Sequence, residues 1–237
     1  MPISPVVNAD TAPSPPKQRG FAQLGLRIVS GLVLGTIAGV AAWRGFPWYD
    51  LLLGIVAAIA FGEWLRLTGG WRRIGWALGG IVYVALPVAA LLWLRHDALW
   101  GLPTVLWLFA TVAAVDTGAY FAGKGIGGPK LAPLISPNKT WAGLGGGAVA
   151  AGLCGLIAAL ILGTDVLPAV IFSMILAPVA QIGDIAESAI KRYFGVKDSG
   201  SILPGHGGIL DRIDGLVAAA VFVAAVRLLG AEGMPWQ

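Results

Sequence analysis

Nine charged side chains lie between residues 184 and 214, in a sequence of 237 residues that otherwise avoids charge. Only 12% of all residues are charged. Carboxylates in this segment could hold a divalent cation, and its basic side chains could bind phosphates, so the segment predicts phosphoryl or nucleotidyl transfer. The charged residues are Asp184, Glu187, Lys191, Arg192, Lys197, Asp198, Asp211, Arg212 and Asp214.

The spacing within this segment predicts which side chains lie together. Asp184, Glu187, Ser188 and Lys191 share one face if the apolar helix before them continues past the membrane edge. A glycine-rich loop follows, and the next helix is predicted to begin near Ile209. Glycines before a helix N-terminus allow a phosphate to approach backbone N–H groups, which the helix dipole favours.

An aspartate lies near each end of this polar segment. Asp184 and Asp211 are predicted to meet at the membrane surface, where they and triphosphate oxygens would complete an Mg²⁺ site. The cations Lys191, Arg192, Lys197 and Arg212 would balance the remaining phosphate charge. The alternative is that these charges only solvate a loop.

A second polar region follows an earlier apolar segment. It begins at Asp116 and carries Lys124, Lys130 and Lys139 in a stretch rich in glycine and proline, so it could also receive a phosphate. The alternative for Asp116 and Lys139 is simple exposure to water.

Composition indicates how these regions are positioned. Hydrophobic residues make up 57% of the chain and its mean hydropathy is +0.80, which predicts an all-α polytopic integral membrane protein. About seven transmembrane helices are predicted: Leu24 to Ala42, Trp48 to Leu65, Ile74 to Leu94, Leu99 to Ala119, Trp141 to Leu162, Val166 to Ile182 and Ile209 to Leu229.

Basic residues predict the orientation, because lysine and arginine are retained on the cytoplasmic side. Residues 1–20 are interpreted as a disordered cytoplasmic tail, residues 21–98 as N-terminal transmembrane helices and residues 99–237 as the catalytic region. Its polar loops, 120–140 and 183–210, would both be cytoplasmic. The net charge of +4 favours anionic lipids and substrates over nucleic acid, because the chain has no basic run.

The motifs in both polar regions resemble one enzyme family, the CDP-diacylglycerol synthases or phosphatidate cytidylyltransferases. The resemblance spans about Trp100 to Leu229. It is carried by Ser188, Lys191, Arg192, Lys197, Asp198, Pro204, His206, Gly207, Gly208, Asp211, Arg212 and Asp214, by the run from Ser136 to Trp141, and by Asp116, Thr117, Tyr120 and Gly123.

The resemblance implies an Mg²⁺-dependent transfer of CMP from CTP to phosphatidate in a bacterial inner membrane, at the cytoplasmic side, by a possible homodimer among membrane lipids. Whether a second, monovalent cation takes part stays open. Catalytic roles are expected for Asp184, Asp211, Lys197, His206 and Arg212. Substrate-binding roles are expected for Asp116, Lys124, Ser136, Lys139, Thr140, Ser188, Lys191, Arg192, Asp198, Gly207, Gly208 and Asp214.

Other interpretations remain at this point. A polyprenol or phytol kinase would need similar metal ligands, a transporter would place charges near the bilayer midplane, and an inactive scaffold would need no ligands. His206 could pin the turn rather than contact phosphate. Glu63 is interpreted as a partner of Arg66 that stabilises helix packing.

Overall fold

Seven α-helices and one β-hairpin make up the part of the chain that the computed structural model describes, residues 18–200 and 207–229. A single 3₁₀ turn, Gly70–Arg72, joins the second helix to the third. The elements are α1 (Gln18–Arg44), α2 (Trp48–Thr68), α3 (Ile74–Arg95), α4 (Gly101–Gly125), β1 (Lys130–Ala132), β2 (Ser136–Thr140), α5 (Trp141–Leu162), α6 (Val166–Tyr193) and α7 (Leu210–Leu228).

Successive helices run in opposite directions, since short links join most of them. Gly69 and Gly163 end α2 and α5 in the left-handed conformation, which glycine adopts without strain. The molecule therefore has two ends. The hairpin end holds the β-hairpin, the last turns of α2, α4 and α6, and the first turns of α3, α5 and α7. The opposite end holds the last turns of α1, α3, α5 and α7 and the first turns of α2, α4 and α6.

Five of the described helices, α2 to α6, are long and apolar enough to cross a membrane. Large apolar side chains are exposed along their outer faces, for example Ile55, Val82 and Ile157. Soluble monomers rarely expose so much apolar surface, so these faces suit contact with lipid. The prediction of a polytopic membrane protein is confirmed at this level, whereas the count of seven spans and the orientation stay predictions.

The two polar loops are more ordered than the sequence analysis expected. In the first, 120–140, α4 continues to Gly125 and an antiparallel hairpin follows, with Lys130 opposite Thr140. The expectation of an all-α chain was therefore wrong in this segment. In the second, 183–210, α6 does not stop at Ile182 but continues to Tyr193. Continuous backbone hydrogen bonding outweighs the change from apolar to charged side chains.

Small residues bring the helices of the site close together. A Cβ on Gly146 of α5 would lie 2.8 Å from the carbonyl oxygen of Gly118 in α4. A Cβ on Gly183 of α6 would lie 2.6 Å from the carbonyl oxygen of Asp214 in α7. Close backbone approach of this kind is typical of packed membrane helices. The contact at Gly183 places Asp184 of α6 and Asp214 of α7 at the same level of the bundle.

Candidate active site

One face of α6 at the hairpin end carries four polar side chains, as the spacing predicted. The Ser188 hydroxyl donates to a carboxylate oxygen of Asp184 at 3.4 Å. One turn further on, the Lys191 ammonium lies 3.2 Å from a carboxylate oxygen of Glu187. Glu187 is 1% exposed and Lys191 8% exposed, so this pair is removed from water. A buried charge pair is costly to desolvate, and its surroundings must supply further partners.

Asp211 of α7 supplies the next partner. One of its carboxylate oxygens lies 2.6 Å from the Lys191 ammonium. The other accepts the backbone N–H of Ser199 at 3.0 Å and that of Gly208 at 2.8 Å. Lys191 is therefore shared between two carboxylates from two helices. This network fixes the end of α6 against the start of α7.

Further carboxylates of α4, α6 and α7 are near neighbours of this network. Asp184 lies close enough to Asp116 and Asp214 for their charges to repel, and Asp214 is also close to Glu187. Glu187 Oε1 has no hydrogen-bond partner within the described residues. The cluster thus contains more carboxyl groups than Lys191 alone can pair with. An excess of oxygen ligands in a confined space is what a bound cation would relieve.

The hairpin adds a second cation. Lys139, at the end of β2, forms an ion pair with Asp184. A cavity of about 260 Å³ lies beside this pair. Its polar lining comes from Asp116, Asn138, Lys139, Thr140, Gln181 and Asp184. The two polar regions of the sequence therefore meet in one place, with acids and a cation facing one cavity.

A family model described as the cytidylyltransferase family matches residues 70–229. A phosphatidate cytidylyltransferase of Brucella suis biovar 1 (strain 1330) is 37% identical over 259 aligned positions, which cover 90% of this chain and 96% of the relative. This chain belongs to the cytidylyltransferase family.

Relatives in a second bacterial genus carry the same name. The phosphatidate cytidylyltransferase of Rickettsia felis is 35% identical over 216 positions, covering 86% of this chain and 92% of the relative. That of Rickettsia typhi is 38% identical over 204 positions, covering 82% and 88%. The match to the family model thus begins at residue 70, whereas the resemblance seen in the motifs begins at about Trp100.

Several predicted ligands of the cytidylyltransferase have structural partners instead. The Thr140 hydroxyl accepts the N–H of Gly143 at 3.0 Å and caps α5. Lys124 contacts the Tyr120 phenol, and the Arg192 guanidinium donates to the carbonyl oxygen of Val196 at 3.0 Å. These contacts do not test a role in substrate binding, which stays a prediction for all three residues.

The remaining predicted residues lie in or near the loops of the hairpin end. Ser136 lies on β2, Lys197 and Asp198 are exposed in the loop after α6, and Arg212 is exposed in α7 near Asp116. His206 lies outside the described residues, so its two proposed roles stay open.

The N-terminus of α7 is already filled by carboxylates of the protein. The glycines before α7 predict that a phosphate accepts N–H groups near Gly207 and Gly208. In the structure the N–H of Gly208 donates to Asp211, and the next two N–H groups donate to Glu63 at 3.0 Å and 2.9 Å. The helix dipole attracts these internal anions just as it would attract a phosphate.

Glu63 is the residue that sequence reasoning placed wrongly. It was expected to pair with Arg66, but its carboxylate faces α7 and Arg66 is exposed. The only available signal was an acid in an apolar helix, which marks a functional position without naming its partner. The sequence leaves two roles open for Gln181, a hydrogen bond to substrate or to a neighbouring helix, and the structure places it in the cavity lining.

The side chains of the site are of the kind that binds Mg²⁺, but those that the structure describes are not arranged as a metal site. Carboxylate oxygens are the ligands that this ion prefers, and the unpartnered Glu187 Oε1 adds one more. Within residues 18–200 and 207–229, however, no group of three or more acidic, histidine or cysteine side chains is arranged to hold a metal. Asp184 and Asp211 each pair with a different lysine. Their joint binding of Mg²⁺ stays a prediction.

Proposed function

We propose that this protein transfers CMP from CTP to phosphatidate, giving CDP-diacylglycerol and pyrophosphate. The observation that carries the proposal is the cavity in which Asp116, Lys139 and Asp184 face one another beside the buried Lys191 network. The names of the curated relatives supply the substrates. A polar pocket at the end of apolar helices suits a reaction between a soluble nucleotide and a lipid head group.

The chemistry requires charge compensation more than proton transfer. A phosphate oxygen of phosphatidate forms a bond to the α-phosphorus of CTP, and the bond from that phosphorus to the bridging oxygen of pyrophosphate breaks. The second pKa of a phosphomonoester is about 6, so the nucleophile is already dianionic at neutral pH. Lys139 and Lys191 would offset repulsion between the two anionic substrates. No general base is needed.

Mg²⁺ is part of the proposal, with Asp184 and Asp211 as its ligands. When bound, it would neutralise triphosphate charge and stabilise the departing pyrophosphate. The excess of carboxylates around Asp214 and Glu187 supports a cation at this position. A second, monovalent cation and a homodimer are further proposals that the resemblance suggests.

The orientation belongs to the proposal as well. Arg44, Arg95 and Arg227 lie at the opposite end, whereas lysines and arginines are more numerous at the hairpin end. The positive-inside rule therefore favours a cytoplasmic hairpin end. Seven spans and a bacterial inner membrane complete the proposal, and the bacterial relatives support the latter. CTP would then reach the cavity directly from the cytoplasm.

A groove between α5 and α6 suggests how the lipid arrives. It has a volume of about 560 Å³ and an apolar lining that includes Trp141, Ala148, Ile175 and Pro178. Leu144 lines both this groove and the polar cavity. We therefore expect acyl chains to lie in the groove while the phosphate enters the cavity sideways from the bilayer.

The direct test is an assay of purified protein in mixed micelles. CTP labelled in its cytidine, Mg²⁺ and phosphatidate should give a labelled lipid and an equal amount of pyrophosphate, and chelation of Mg²⁺ should stop both. Transfer of label only from the γ-phosphate of CTP would indicate a lipid kinase. Absence of either product with well-folded protein would overturn the proposed function.

A further inference from the structure

The carboxylate of Glu63 in α2 accepts three hydrogen bonds from the segment around the start of α7. The N–H of Ile209 donates to Oε1 at 3.0 Å. The N–H of Leu210 donates to Oε2 at 2.9 Å, and the Ser199 hydroxyl donates to the same oxygen at 3.3 Å. These contacts cross more than 130 residues of sequence. They tie an N-terminal helix to the catalytic region.

The surroundings of Glu63 are shaped to hold this carboxylate. Its side chain is 1% exposed. A Cβ on Gly200 would lie 2.7 Å from Oε1, and a Cβ on Gly208 would lie 2.6 Å from Oε2. Any larger residue at either glycine would push the loop away. A buried anion without partners is costly, so both the donors and the close fit are needed for Glu63 to stay here.

Asp211 follows directly in the same turn of α7. Ser199 connects it to Glu63, because the Ser199 hydroxyl donates to Glu63 and its N–H donates to Asp211 at 3.0 Å. Fixing Ile209 and Leu210 therefore fixes the direction in which Asp211 leaves the helix. Asp214 lies one turn further along and moves with it.

We infer that Glu63 is a positioning residue for catalysis, which anchors the first turn of α7 so that Asp211 and Asp214 face the substrates. This inference rests on the proposed cytidylyl transfer. Glu63 itself is assigned no catalytic role, because within the described residues it pairs with no lysine or arginine and it does not line the cavity. It also lies outside residues 70–229, which the family model matches.

The test compares Glu63→Gln with a matched variant of the same helix, Thr68→Val. Both replacements keep the side-chain shape. Thr68 is buried, but its hydroxyl donates only within α2, to the carbonyl oxygen of Trp64 at 2.9 Å. The amide introduced by Glu63→Gln would direct an N–H group towards N–H and hydroxyl groups that now donate to the carboxylate. We expect kcat/KM to fall about 10-fold to 100-fold in Glu63→Gln and to stay within about 2-fold in Thr68→Val.

Two readouts separate positioning from a loss of folded protein. A smaller folded fraction lowers kcat and leaves the KM for CTP unchanged, whereas a displaced Asp211 should also raise that KM by about 5-fold. Hydrogen exchange in micelles should show faster exchange at Ile209 and Leu210 in Glu63→Gln only. Ser199→Ala should have a smaller effect and add little when combined with Glu63→Gln.

Each outcome decides something. Unchanged exchange at Ile209 and Leu210 would overturn the anchor, and kinetics matching those of Thr68→Val would overturn the catalytic role. If the unmodified protein forms no labelled lipid, the proposed function fails and the catalytic role fails with it. The exchange experiment needs no turnover, so it judges the anchor separately in that case.

Discussion

The two ends of the molecule use charged side chains in different ways. At the opposite end, each described ion pair joins one acid to one base: Asp97 to Arg227, and Asp50 to His96 at 3.1 Å. At the hairpin end, Lys191 is shared by Glu187 and Asp211. Lys191 and Glu187 are buried, whereas the His96 side chain is 51% exposed.

The ion pairs of the opposite end thus indicate a structural role, whereas the shared lysine of the hairpin end indicates a chemical one. Partly exposed pairs contribute little to stability, because water and salt screen them, yet they can join neighbouring helices at low cost. Buried clusters with unequal numbers of acids and bases are expensive to fold and concentrate at functional sites. The hairpin end is therefore expected to govern turnover, and the opposite end to govern only stability.

The largest effect is expected from Asp211→Asn. The amide keeps the size of the side chain and can still accept one backbone N–H, but it loses the ion pair with Lys191 and the charge that would hold Mg²⁺. Cytidylyl transfer should fall at least about 100-fold, while the purified protein keeps its size-exclusion profile. The measurement is labelled-lipid formation at saturating CTP.

Asp97→Asn is the matched control from the opposite end, where the same replacement also removes an ion pair. It should leave turnover unchanged. Near-normal turnover of Asp211→Asn would contradict the proposed metal ligand and remove the distinction between the ends.

A smaller effect is expected from Lys139→Met. The thioether has a similar length but no charge, so Asp184 loses its partner and the cavity loses a cation. We expect kcat/KM for CTP or phosphatidate to fall about 10-fold to 100-fold. Lys130→Met is the control, because Lys130 is exposed on the neighbouring strand. Equal kinetics of the two variants would assign Lys139 to hairpin stability alone.

The smallest effect concerns pH at the opposite end. The N–H of Trp100 above all, and then Arg227, hold the pKa of Asp97 below its usual range, although partial burial opposes them. A lowered folded-state pKa adds stability above the unfolded pKa of about 3.9, and this is lost as pH falls further. Thermal unfolding should place Asp97→Asn no more than about 3 °C below the unmodified protein at pH 6, with the gap closing below about pH 4. A gap that is independent of pH would contradict this origin.

The helices and the polar face of α6 could be predicted because both depend on local sequence. Apolar runs located most helix ends to within several residues, although α6 ends at Tyr193 and not at Ile182. The spacing of Asp184, Glu187 and Lys191 placed them on one face. The condition for that face, a helix continuing beyond Ile182, is met. Membership of the family was also predicted from the motifs and is confirmed.

The partners of the charged side chains could not be predicted. Glu63 accepts hydrogen bonds from residues about 146 positions away. The predicted pairing with its near neighbour Arg66 is wrong. The pairing of Lys139 with Asp184 likewise depends on how the hairpin packs against α6, which no spacing within either segment records. The hairpin could not be predicted either, because its strands lie in a glycine- and proline-rich stretch that is typical of an irregular loop.

The groove between α5 and α6 lies on the hairpin side of a point where the two helices touch. A Cβ on Gly155 of α5 would clash with the carbonyl oxygen of Ala169 in α6, whereas Trp141 and Pro178 line the groove nearer the hairpin. An acyl chain bound there would contact the protein only along its first carbons, and its remaining carbons would lie in the surrounding bilayer. An enzyme built in this way would recognise the glycerol backbone and be largely indifferent to how long the tails are.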